Sequence, residues 1–245
     1  MPLEGTIGNI TFYKSKAGYL AREKGGVDAS RIATDPAFER TRENGAEFGR
    51  AGKAGKLLRT AFRALLMNAG DSYMAGRLTR QFVKVIQADA TSTRGKRNVI
   101  DGETELLQGF EFNINGRLPG TLYAPFTTTI NRVTGDLSVT VPPFIPVNMI
   151  AAPAGATPCR LTAAGAEIDF EAETFVNDTT GSGDITLDGE TTVANDLTLT
   201  LPANSTKPLF LVFGIEFYQE VNGSMYLLKT GAFNAIQLVK VSSGV

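Results

Sequence analysis

From Leu122 onward, apolar and polar residues alternate in short runs: Leu137, Val139 and Val141, then Ile168 and Phe170, then Leu197, Leu199 and Leu201. A period of two puts every second side chain on the same face, so each run predicts a strand with one buried face. Turn-forming clusters separate the runs, NDTTGSGD at 177–184 and PANSTKP at 202–208,. The unbroken apolar segment PLFLVFGIEFY predicts a strand buried on both faces, and Asn222-Gly223 after it predicts a tight hairpin turn,. Seven or eight short strands over about 125 residues predict an antiparallel β-sandwich, Ig-like or jelly-roll.

Upstream the period changes. Phe48, Gly52, Gly55, Leu58, Phe62, Leu65 and Leu66 recur at steps of three and four, the spacing of one helix face,. Gly45, Gly49, Gly52 and Gly55 fall in its first turns, each costing up to about 1 kcal/mol relative to alanine, which predicts close approach of another backbone or a break. Thr34 and Asp35 before Pro36, with Glu39 in the next turn, mark a helix start,. Asp71 can cap a further helix with Met74, Leu78, Phe82, Val85 and Ile86 as its apolar stripe, giving a helical hairpin,. At the front, β-formers Ile10 to Tyr13 and Tyr19 to Ala21 flank a polar turn ending in Gly18, the pattern of a β-hairpin,. The expected class is α+β: a hairpin arm over 1–26, helices over 27–110 and a β-sandwich over 111–245.

Composition narrows the chemistry. The 245 residues include no histidine and no tryptophan, which removes the commonest general base and commonest metal ligand. The single cysteine, Cys159, cannot form an intramolecular disulfide and reads as a small buried thiol,. No run of about eighteen apolar residues predicts a membrane span, and MPLEGTIGNI lacks the pattern of a secretory signal,. The expectation is synthesis in the cytoplasm, with any release by a specialised machine or lysis. The net charge of −1 hides an asymmetry: residues 1–110 carry 18 Lys+Arg against 12 Asp+Glu, a net +6, and 111–245 carry 6 against 13, a net −7. Opposite halves favour head-to-tail contact between copies, or an acidic partner for the first half.

Motifs with chemical meaning are few. GRAGKAGK at 49–56 lacks the glycine spacing and the Ser or Thr of a phosphate loop,. Arg50, Lys53 and Lys56, with Arg77, Arg80 and Lys84 on the next helix, are spaced as basic faces,. No stacking aromatics interleave with them and the pI is about 5.7, so the expected readings are an ordinary solvated face first, an acidic protein neighbour second and nucleic acid last. EIDFEAE predicts Glu167, Asp169, Glu171 and Glu173 on one strand face, either solvated, facing a basic partner, or holding calcium,. The sequence contains no nucleophile elbow, paired CxxC or dinucleotide fingerprint,, and no cofactor or metal is expected. Asn-x-Ser/Thr triplets, at Asn9, Asn177 and Asn204 among others, matter only in a glycosylating pathway,.

The lead GTIGNITFYKSKAGYLAREKGG, with DPAFERTRENGAEFGRAGKAGKLLR and GKRNVIDGETELLQGFEFN, is similar to a family of uncharacterised proteins encoded in Bacteroidota genomes, over the whole chain. The resemblance implies a bacterial setting and supplies no catalytic residues. The residues themselves favour a non-enzymatic structural protein that assembles with copies of itself into a filament, tube or virion-like shell. Ile10, Phe12, Tyr13, Tyr19 and Leu20 of the arm would make the contacts. The alternative is a β-sandwich module binding a glycan or protein ligand through its loops. A carboxylate-based glycosidase ranks third.

Overall fold

The computed structural model describes residues 4–23, 26–228 and 232–244. The chain divides into two compact units, residues 1–45 and 46–245. Both α-helices and an antiparallel sandwich are present, so the fold is α+β as the periodicity indicated. The boundaries differ from those expected after residues 26 and 110, because the helices and the sandwich share one core.

The first unit begins with strands β1 (Gly5–Ile7), β2 (Ile10–Ser15) and β3 (Gly18–Glu23), an antiparallel sheet in that order. The expected hairpin is β2–β3, in register from Ile10↔Glu23 to Ser15↔Gly18. Strand β1 is an addition that three residues gave no periodicity to reveal. Residues 1–3, 24 and 25 of the expected arm lie outside the described residues. Helix α1 (Ala29–Thr34) follows, with Asp28 accepting the Ser30 N–H at its start,. Asp35 accepts the Ala37 N–H ahead of a 3-10 turn at Pro36–Phe38, which leads into α2 (Glu39–Ala61).

In the second unit α2 continues, followed by α3 (Arg63–Ala69) and α4 (Met74–Gln87), then the single turns α5 (Leu118–Thr121) and α6 (Pro146–Met149). Strands β4 (Thr127–Asn131), β5 (Asp136–Val141) and β9 (Asn195–Thr200) form a small sheet in the order β4–β5–β9. The larger sheet runs β11–β10–β6–β7, from β6 (Pro158–Asp169), β7 (Thr174–Gly181), β10 (Leu209–Val221) and β11 (Ser224–Leu227). Beside them β8 (Ile185–Thr186) pairs β6, and β12 (Ala235–Ser242) pairs β10.

Strand β10 explains the layering. Its residues from Leu209 to Phe217 are all buried. Phe210 and Val212 join Leu58, Phe62, Leu78 and Phe82 in the core under the helices. Leu209, Leu211, Phe213, Ile215 and Phe217 join Leu137, Val139, Leu197 and Leu199 in the core under the small sheet. Helices, large sheet and small sheet therefore make three layers, with the large sheet buried on both sides. Among the described residues no helix is long and apolar enough to cross a membrane.

The helix pair matches its stripe only in part. Leu78, Phe82, Val85 and Ile86 of α4 are buried as expected. On α2 Glu47 is buried but the apolar buried face begins at Ala51, while Phe48 is 62% exposed. A Cβ on Gly55 would meet the side chains of Leu78, Thr79 and Phe82 at 3.6–3.7 Å, an ordinary packing contact with α4 and not the close approach of a second backbone expected of the glycines. Gly45, Gly49 and Gly52 face open space instead. At Phe62 the backbone leaves helical geometry, with φ −102° and ψ 18°, and α3 starts at the next residue.

Two turns depend on glycine. Asn222 and Gly223 have φ of 52° and 76°, the left-handed pair that a two-residue hairpin requires,. Gly135 has φ 83°, and a Cβ there would lie 2.1 Å from the Leu201 carbonyl oxygen. Gly135→Ala is therefore expected to lower stability by about 1–3 kcal/mol. Gly49→Ala and Gly52→Ala should each raise it by roughly 0.5–1 kcal/mol, since each lies in a helix with room for a methyl group,. Urea unfolding of the three variants checks both signs.

Candidate functional site

The first unit has structure without an interior. None of its described residues is buried. Register places Ile7, Ile10, Phe12 and Tyr19 on one face of the β1–β2–β3 sheet, and Tyr13 with its partner Leu20 on the other,. Ile10, Tyr13, Tyr19 and Leu20 are 38–52% exposed, and Phe12 is half-buried. Lys14 Nζ lies 5.7 Å from the Tyr19 ring centre, and the Arg22 guanidinium 5.5 Å from that of Tyr13. These cations partly cover the rings without enclosing them. Strands β1 and β3 each pair only with β2 among the described residues, leaving two open edges,. All five expected arm residues thus stand on one solvated platform.

The expected basic faces separate into different roles. Arg50 donates to the Arg97 carbonyl at 2.6 Å and to that of Gly95, while Glu47 accepts the Gly95 N–H at 2.8 Å. This side chain latches a loop onto α2 and presents no open cation. Lys53 pairs with Glu173 at 3.2 Å, both well exposed. Arg77 donates to the Glu111 carbonyl at 2.7 Å and to the Asp71 carboxylate, and lies 5.1 Å over the Phe110 ring. Asp71 does not cap α4, whose N-cap is Tyr73 without a side-chain cap; its carboxylate instead accepts the Tyr73 N–H at 2.6 Å in the turn before the helix. That leaves Lys56, Arg80 and Lys84 exposed to solvent. Arg80 and Lys84 border an open groove that Arg117 also lines.

The acidic strand face does not form. Strand β6 ends at Asp169, and 170–173 make a turn in which Glu173 has φ 54°. The Asp169 carboxylate accepts the N–H groups of Ala172 at 2.8 Å and Glu171 at 3.0 Å, closing that turn. The physical cause is Phe170, which packs edge-on against Phe82 at 5.8 Å and Phe210 at 6.1 Å rather than continuing the strand,. Glu167 is buried, and Lys207 Nζ lies 3.8 Å from it and 3.1 Å from Asp169. The basic partner of these carboxylates is in the same chain. The Ala172 N–H and Lys207 hold the Asp169 carboxyl below its ordinary value. Among the described residues no group of three or more His, Cys, Asp or Glu side chains is placed to hold a metal ion.

Cys159 is fully buried, and burial pushes its thiol up to about 12. The group is a packing element in the core between the sheets,.

One polar cluster escaped the periodicity. Glu216, inside the apolar run of β10, accepts from Asn68 Nδ2 at 2.8 Å and from the Tyr218 hydroxyl at 2.7 Å. Arg160 stacks over the Tyr218 ring at 4.5 Å and pairs with Asp184 at 2.5 Å. Burial and the Glu216 carboxylate push the Tyr218 hydroxyl up to about 12. The signal available in sequence was a single acid within an otherwise apolar strand.

Lys207→Met removes one of the two cations, with Arg132, that act on the buried Glu167 carboxylate and should cost about 1–2 kcal/mol in urea unfolding,. Lys53→Met, at an exposed pair, should change stability by less than about 1 kcal/mol. Asp169 titrates lower folded than unfolded, so its contribution is complete above about pH 4 and is lost as pH falls through the folded value. Lys207→Met should flatten that acid limb. Cys159 should resist thiol reagents in the native protein and react once urea unfolds it.

No family model and no curated protein matches the chain. One solved structure is similar over 50% of this chain and 82% of its own, at 13% identity and a TM-score of 0.22. It is described as concerning "pH-induced modulation of Streptococcus parasanguinis adhesion by Fap1 fimbriae". A TM-score that low supports no argument about fold or function.

Proposed function

We propose that this is a non-enzymatic structural protein whose copies assemble into a homopolymer, a filament, tube or virion-like shell, through the N-terminal unit. One observation carries the reading: residues 4–23 and 26–45 form strands, a helix and a turn with no buried residue among them. Secondary structure without a core does not hold by itself in water, because ordering costs roughly 1–2 kcal/mol per residue and burial supplies most of the offset. The missing core must come from outside the unit, and open strand edges beside apolar side chains suit main-chain pairing with a neighbour.

A second copy is the favoured neighbour for two reasons. Residues 46–110 carry a net +5 and 111–245 a net −7, against +1 for the first unit, so the helices and the sandwich of the larger unit are oppositely charged and copies attract through those sides,. The larger unit also exposes apolar side chains of its own, among them Met67, Tyr123, Val147 and Val193. A contact between different patches on two copies leaves one of each patch free, which generates a ring or an open polymer.

Sedimentation velocity of the full chain tests this. The wild-type protein should form particles far larger than a monomer. Tyr13→Glu with Leu20→Lys should sediment as the monomer while melting at the wild-type monomer's temperature, since both side chains are exposed. Equal particles from both proteins would remove the arm as connector, and a monomeric wild-type protein at all concentrations would remove the function.

A further inference from the structure

The helix-facing side of the large sheet is longer than the helices cover. Beneath them it is apolar, with Ala164, Ala166, Phe210 and Val212 in one core. The same face continues through Thr162 and Arg160 on β6 and through Glu216 and Tyr218 on β10, with Glu216 opposite Arg160 in the register. There it turns polar, and a groove of about 450 Å³ opens between α3 and the end of β7. That volume suits a small ligand.

The groove is built from fixed polar groups. Glu216 is 5% exposed, a carboxylate set among buried Phe, Leu, Val and Ile. Placing it there is costly unless its oxygens are satisfied, and Asn68 and Tyr218 donate to one oxygen each,. Arg160 is held between Asp184 and the Tyr218 ring. The Thr162 hydroxyl is buried with no hydrogen-bond partner. Holding α3 in place does not account for this arrangement. Asn234 already anchors that helix end by donating to the Asn68 carbonyl at 3.0 Å, and an anchor needs neither the carboxylate nor the stacked arginine.

The groups around the groove have both hydrogen-bonding signs. Arg160 only donates, Glu216 only accepts, and Asn68 with the hydroxyl of Thr179, opposite Ala164 in the register and so on the same face, can do both,. An anion would meet Glu216, and a cation would meet Arg160. A neutral molecule whose every hydroxyl both donates and accepts fits each of them, and the half-exposed Tyr218 adds an apolar edge,. We propose that this groove binds a carbohydrate, one or two sugar residues in extent. The site lies on a sheet face rather than on the sandwich loops, and the inference is independent of assembly.

Saturation-transfer difference NMR tests it, because the method reads the ligand and tolerates a large assembly. Glucose, galactose, mannose and N-acetylglucosamine are each titrated against the full chain over a millimolar range. At least one should give a saturable enhancement that is at least tenfold smaller with Glu216→Gln. Thr179→Val, which alters no hydrogen bond of the Glu216 cluster, supplies a second variant should Glu216→Gln unfold, and should show a similar loss. No enhancement with any of the four sugars, or an enhancement that persists in a folded variant, would overturn the proposal.

Discussion

Burial of the β6–β10–β12 sheet on both faces is the constraint from which the larger unit follows. Once Leu209 to Phe217 run as a strand, their side chains project alternately to opposite sides, and each side needs its own cover,. The helices cover one side through Phe62, Leu78 and Phe82, and the small sheet covers the other through Leu137, Val139 and Leu199. Gly214 belongs to the same constraint, since a Cβ there would lie 2.4 Å from the Ala235 carbonyl oxygen on the paired strand. The helical segment is therefore one wall of the sandwich's core and not a domain beside it.

The first unit departs from that logic. Its sheet is three strands of at most six residues with apolar groups on both faces, and nothing among its described residues is buried. A sequence selected for a soluble monomer would place charge at Ile10, Tyr13 and Leu20, where exposure has no cost for lysine or glutamate. The apolar residues there have a reason if a neighbour covers them. The larger unit presents the opposite economy: its charged side chains are mostly spoken for, Arg50 and Arg77 by backbone carbonyls and Glu167 by Lys207.

Much of this was legible in the pattern of residues, and the exceptions have physical causes. The alternation at Leu137–Val141 and Leu197–Leu201 located two strands because one face of each meets the core and the other meets water. Asn222-Gly223 located its hairpin because both residues tolerate positive φ. The acidic run misled because alternation continues through Phe170, whereas the chain turns there to place that ring in the helix-side core. Phe48 misled similarly: the spacing of three and four fits it to the α2 stripe, but the helix reaches the core only from Ala51. Which cations face solvent was not legible at all. Arg50 and Arg77 donate to carbonyls 34 or more residues away in sequence, a separation that no local period records.

The most direct measurement of the central claim is residue-resolved hydrogen exchange on the full chain across a concentration series. Amides of β1 and β3 that pair with no strand in the isolated chain should exchange quickly at high dilution and become protected as concentration rises, together with a patch on the larger unit. Exchange in residues 5–23 that stays fast at every concentration would contradict assembly through this unit.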